Sequence, residues 1–166
     1  MIKIGILTIS DRSSRKERED LSGPALQKIA NDQGWHVERL AVIPDELEEI
    51  KNTLIHWCDE AKLHLILTTG GTGFAPRDIT PEATLQVIQK IAPGIAEAMR
   101  SESLKKTPHA MLSRSVAGIR GNSLIINLPG SPKAAVENLQ VILPVMPHAI
   151  ELIGGLPEAE KGHQIK

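Results

Sequence analysis

A chain of 166 residues with 41% hydrophobic content is long enough to bury a full-sized core, and its net charge of −1 offers no broad field to polyanions or membranes. Its only aromatic side chains, Trp35, Trp57 and Phe74, do not make a stacking platform for single-stranded nucleic acid. A single cysteine, Cys58, excludes a disulfide framework and a Cys-based zinc cluster, and its place in a helical pattern makes it a core thiol.

Met1 leads directly into Ile2–Ile9, an apolar run too short to span a bilayer and without a signal-peptide layout, so the expected location is the cytoplasm. Apolar on both faces, this run reads as a strand buried between helical layers. It ends at Ser10-Asp11-Arg12-Ser13, and the charge-dense stretch from Ser14 to Asp20 reads as a mobile surface loop. Pro24 at a first-turn position and Gly34 as a stop bound a helix to about Gln33. A strand over 35–43 follows, then a helix over 46–62 whose apolar face carries Leu47, Ile50, Leu54, Trp57, Cys58 and Ala61. Asp45, with Glu48 three residues on, is placed as the N-cap of that helix.

The third strand, 63–69, runs into Thr69-Gly70-Gly71-Thr72-Gly73 and Pro76-Arg77-Asp78. Thr80 is expected to cap a helix over 81–91 beginning at Pro81, and Pro93-Gly94 to separate it from another over 95–105. Residues 106–115 read as irregular. Val116–Arg120 and Ser123–Leu128 flank Gly121-Asn122, a two-residue hairpin turn. The last helical region, from Ala135 to Ile153, must kink or divide at Pro144 and Pro147. Residues 1–155 are expected to form one domain and 156–166 a frayed polar tail. The alternation predicts a three-layer α/β/α fold, its mostly parallel sheet carrying one antiparallel strand.

In such sheets ligands bind outside the carboxyl ends of the strands. Ser10-Asp11, Asp45, the Gly70–Asp78 stretch and Pro129-Gly130-Ser131 all follow strands and would meet at one rim. Glycine-rich turns bring backbone N–H groups close to an anion. This one completes neither an NTPase phosphate loop, lacking Gly-Lys-Ser/Thr, nor the dinucleotide fingerprint, since Pro76 follows. Alone it is as much a turn as a phosphate site. Asp78 has its own bland reading as a surface pair with Arg77. Beside a phosphate site, however, Asp45 and Asp78 would suit Mg²⁺, which is held by a few carboxylates and substrate phosphates. Ser131 before Pro132 is a helix cap or a second anion site, and Arg114 a solvated charge or a phosphate partner. The six histidines show no metal-ligand spacing.

The joined string Thr69–Gly73, Pro76-Arg77-Asp78-Ile79-Thr80-Pro81-Glu82-Ala83-Thr84 and Pro129-Gly130-Ser131-Pro132 resembles the molybdenum-cofactor biosynthesis family. Within it the chain looks most like the molybdopterin adenylyltransferases and is similar to the G domains of gephyrin and its plant counterpart. Ser10–Ser13, Asp20–Pro24, Ile43–Glu46 and Leu112–Ser115 extend the resemblance over roughly residues 3–155. It implies a trimer that transfers AMP from MgATP to the terminal phosphate of molybdopterin, with a molybdenum-insertion protein as a partner. Asp45 and Asp78 match the family's two central acids, as catalytic and Mg²⁺-holding residues. Ser10, Asp11, Thr69, Gly70, Gly71, Thr72, Gly73, Pro129, Gly130 and Ser131 are then assigned to the nucleotide, and Arg77, Thr80, Ser113 and Arg114 to the pterin substrate. A pterin-binding scaffold without transferase activity is the alternative.

Overall fold

The computed structural model describes residues 1–155; the expected polar tail lies outside the described residues. In chain order the elements are β1 (Lys3–Ile9), α1 (Asp11–Ser14), α2 (Ser22–Asp32), β2 (His36–Ile43), α3 (Leu47–Asp59), β3 (Leu65–Thr69), α4 (Thr80–Val87), β4 (Lys90–Ile91), α5 (Pro93–Leu104), β5 (Ala117–Arg120), β6 (Ser123–Leu128), α6 (Pro132–Ile142) and α7 (Met146–Ile153). Short 3₁₀ turns lie at Pro108–Leu112, within the stretch expected to be irregular, and at Leu143–Val145, where Pro144 divides the last helical region as predicted.

The six strands form one sheet in the order β2-β1-β3-β6-β5-β4. The first four run parallel, and β5 alone is reversed, joined to β6 through the predicted turn with Arg120 opposite Ser123. Strand alternation sorts the core onto both faces. Ile4, Ile6, Leu65, Leu67, Leu124 and Ile126 pack under Leu26 of α2, Met99 of α5, Leu139 of α6 and Met146 of α7. Leu7, Ile9, Ile66 and Ile125 face the other way, against Ile50, Leu54 and Trp57 of α3 and Val87 of α4. Each fully buried aliphatic side chain contributes about 1.5–3 kcal/mol, so both layers are needed to hold the sheet. Cys58 lies in the second layer, where burial pushes its thiol up to about 11 and keeps it inert.

Several local expectations are corrected. The helix after Pro81 ends at Val87, and Lys90–Ile91 forms an edge strand on β5 instead. Gly118 allows this approach, because a β-carbon there would meet Ile88 and the Lys90 carbonyl oxygen. The helix expected over 46–62 is confined to Leu47–Asp59. Its N-cap is Glu46, so Asp45 does not cap it. Thr80 likewise sits inside α4, its hydroxyl donating to the Gly70 carbonyl at 2.9 Å. The stretch from Ser14 to Asp20 is anchored at its end: Asp20 accepts from the Thr8 hydroxyl at 2.8 Å and from the N–H groups of Ser22 and Gly23 at 3.1 and 3.0 Å. Among the described residues no helix is long and apolar enough to cross a membrane.

Candidate functional site

The chain passes from β1 outward to β2 and back across to β3, so the strand order reverses between β1 and β3. Crevices form at such a reversal, beyond the carboxyl ends of the strands. Register brings the exits level: Thr8 lies beside Thr69, Ile9 beside Ile43, and Thr69 beside Leu128. A cavity of about 330 Å³ opens there, lined by Ser10, Asp45, Thr69, Gly70, Gly71, Asp78, Gly130 and Ser131 among others. The four polar clusters predicted to converge do converge.

The glycine loop forms one wall, and its orientation is fixed. The Gly70 carbonyl accepts from the Thr80 hydroxyl and the Gly71 carbonyl from the Thr80 N–H at 3.1 Å. The Thr72 carbonyl accepts from the Arg114 N–H at 2.9 Å, and the Gly73 carbonyl from Arg114 Nε at 2.8 Å. Four consecutive carbonyls are thus bonded within the protein, and the loop presents Gly70 and Gly71 to this cavity. Gly70 and Gly71 both have positive φ, +101° and +67°. A β-carbon on Gly70 would fall on the Ile9 carbonyl oxygen, and one on Gly71 on the Thr80 hydroxyl. The facing wall is tied back in the same manner, Thr69 Oγ1 donating to the Pro129 carbonyl at 2.7 Å and Ser22 Oγ to the Gly130 carbonyl at 2.8 Å. Ser131 caps α6, accepting from the Ala134 N–H at 3.4 Å.

Each acid turns one oxygen toward the loop. Asp45 Oδ2 accepts from the Asp11 N–H at 2.9 Å, while Oδ1 lies 3.0 Å from where a Gly71 β-carbon would stand. Asp78 Oδ2 accepts from the Ala75 N–H at 3.0 Å and lies 2.9 Å from the corresponding point on Gly73. Burial raises the pKa of Asp45, and the negative charges of Asp11 and Asp78 add to this against the Asp11 hydrogen bond. The bond from Arg77 holds Asp11 low.

Arg77 does not make the surface pair with Asp78 that the sequence suggests; its guanidinium grips Asp11 and Glu46. Arg114 is drawn inward, bonding the Asp78 carbonyl at 3.0 Å and pairing with Glu82. Ser113 lies outside the first cavity. It lines a second of about 300 Å³, together with Thr72, Gly73, Arg100, His109, Pro129 and Asn138. Its Oγ donates to Ser115 Oγ at 3.1 Å. The glycine loop thus stands between the two cavities. Thr8, Arg18, Asp20 and Ser22 also line the first cavity and were assigned no role from sequence. The available signal was Asp20 placed two residues before a helix start, a carboxylate able to accept from free first-turn N–H groups.

Among the described residues no three metal-ligating side chains cluster. A pair of carboxylates beside a glycine loop nevertheless fits Mg²⁺, which takes one or two carboxylates and completes its shell with substrate phosphates and water.

Residues 5–148 match the family model described as a probable molybdopterin binding domain. The chain is 50% identical over 159 residues to the molybdopterin adenylyltransferase of Helicobacter pylori strain J99, covering 93% of this chain and 89% of that one. It is 44% identical over 147 residues to the Escherichia coli K12 protein of the same name, covering 84% and 72%. Gephyrin of Dictyostelium discoideum is 47% identical over 166 aligned residues, which cover 94% of this chain but 23% of that longer protein. In three dimensions the molybdopterin biosynthesis enzyme MoaB of Thermus thermophilus superposes with a TM-score of 0.89 at 50% identity, covering 95% and 99% of the two chains.

Proposed function

The chain belongs to the family of probable molybdopterin binding domains, and we propose that it is a molybdopterin adenylyltransferase. In the reaction, a terminal phosphate oxygen of molybdopterin attacks the α-phosphorus of ATP. The bond from that phosphorus to the bridging oxygen breaks, and pyrophosphate leaves with the electron pair. The nucleophile is anionic near neutral pH, so positioning and charge neutralisation supply the catalysis without a strong general base.

One observation carries this reading: the loop between the two cavities has its carbonyls withdrawn and two carboxylates beside it. Gly71 would offer its N–H group to the triphosphate in the first cavity, with Ser10 and Thr69–Gly70 beside it and Gly130-Ser131 opposite. The pterin would occupy the second cavity along Ser113. Asp45 and Asp78 would hold Mg²⁺, which supplies neutralisation of the charge that gathers on the phosphates. Arg114 and Thr80 would serve by fixing the loop that both substrates touch.

We also propose a cytoplasmic homotrimer that passes its product to a molybdenum-insertion protein. Exposed Leu40 and Val42 on one sheet edge and Ile91 on the other are apolar surface suited to neighbouring copies. Sedimentation equilibrium should give three times the 18.0 kDa chain, and a monomer would remove the trimer.

The reaction is tested by incubating the protein with molybdopterin and α-labelled MgATP. Labelled pterin and free pyrophosphate are expected. Asp78→Asn should abolish transfer while leaving the fold and pterin binding in place; full turnover by that variant would sink the metal assignment. Pterin binding without any labelled product would leave a binding module.

A further inference from the structure

Arg77 neighbours Asp78 in sequence, yet its side chain turns the other way. Nε donates to Asp11 Oδ2 and Nη2 to Asp11 Oδ1, both at 3.0 Å, and Nη2 also reaches Glu46 Oε1 at 2.6 Å. Asp11 in turn exchanges two bonds with Asp45. The Asp11 N–H donates to Asp45 Oδ2 at 2.9 Å, and the Asp45 N–H donates to Asp11 Oδ1 at 3.1 Å. One continuous lacing therefore joins the exits of β1, β2 and β3, and both acids of the site are attached to it. Asp45 is held directly by Asp11, and Asp78 through its peptide bond to Arg77.

We propose that Arg77 and Asp11 are positioning residues that set the separation of Asp45 and Asp78, and that Arg77 does not contact the triphosphate. The inference rests on the metal-assisted reading of the site given above. Stability does not account for the lacing. The Arg77 side chain is 55% exposed, and ion pairs so open to water contribute little to folding. The geometry is nonetheless specific, because a planar guanidinium grips both carboxylate oxygens at once, which a lysine cannot do. Partners one step removed from a metal commonly change its affinity by tenfold or more through the ligands they orient.

The test uses the full chain and its Arg77→Lys, Arg77→Gln and Asp11→Asn variants. Mn²⁺ binding in the presence of α,β-methylene-ATP is followed by electron paramagnetic resonance, which needs no turnover. Each variant should bind Mn²⁺ roughly tenfold more weakly, with thermal unfolding lowered only slightly, as for an ion pair open to water. Arg77→Gln combined with Asp11→Asn should be no worse than the poorer single variant, since both cut one strut. Unchanged Mn²⁺ affinity in the Arg77 variants would overturn the proposal. So would nucleotide binding that is lost in Arg77→Gln and restored in Arg77→Lys, which is the behaviour of a phosphate ligand. Additive losses in the double variant would also sink it. Labelled MgATP turnover on the same wild-type preparation separates the two claims. No labelled pterin alongside weakened Mn²⁺ binding in the variants would refute the adenylylation reading and support the strut.

Discussion

Asp45 carries opposed demands. Burial and the neighbouring Asp11 and Asp78 charges raise its pKa above 3.8, while the proposed chemistry requires the carboxylate. The folded chain therefore keeps the Asp45 proton to a higher pH than the unfolded chain does. From the unfolded value upward through the folded one, stability falls with pH. Asp11 has the reverse sign: its lowered pKa adds stability above the unfolded value, and this is lost as pH falls through the folded one. Asp45→Asn removes the buried charge and keeps an oxygen for the Asp11 N–H. In the metal-free protein it should raise Tm at pH 7 by about 2 °C, with the difference vanishing at pH 3, and it should abolish adenylyl transfer. A lower Tm at pH 7, read by calorimetry, would show that the carboxylate supports the fold.

At the level of elements, the glycine loop is held by backbone carbonyls, so its shape depends on positions that tolerate no side chain. Gly71→Ala places a β-carbon on the Thr80 hydroxyl at φ +67°. It should lower stability by about 1–3 kcal/mol in urea unfolding and weaken MgATP binding more than pterin binding. Equal losses for both ligands would argue against a nucleotide role for this wall. Largely apolar runs made β1, β3 and β6 legible in the sequence, because they are buried on both faces, and helical spacing did the same for the facing of α3; β2 buries only Ile43 and has no such pattern. The two-residue strand Lys90–Ile91 has no period to read, and its partner Ile119 is distant in sequence. Asp45 and Thr80 were misjudged for a common reason. Their placement next to helix starts shows where a cap is possible, whereas the real partners, the Asp11 N–H and the Gly70 carbonyl, arrive from the ends of other strands. Convergence of the clusters was readable because strand exits share one rim in this topology. The division into two cavities was not, since it depends on how Arg114 pulls the loop toward itself.

Across the whole molecule the net charge is −1, but the cavity does not share that balance. Glu19, Asp20, Asp45 and Asp78 line it against Arg18, and the two acids beside it, Asp11 and Glu46, share one cation, Arg77. A triphosphate arriving there without a metal would meet more negative than positive charge. Like charges a few ångströms apart repel by about 4 kcal/mol per pair at an effective dielectric near 20, more than a neutral hydrogen bond returns. The cation is therefore expected to be a condition of nucleotide binding as well as of chemistry. Calorimetric titration of ATP in excess EDTA should show at least tenfold weaker binding than with Mg²⁺, with Asp78→Asn narrowing the gap by relieving repulsion in the metal-free titration. Equal ATP affinity with and without the metal would mean that the acids do not face the phosphates, and the triphosphate would have to be placed elsewhere on the rim.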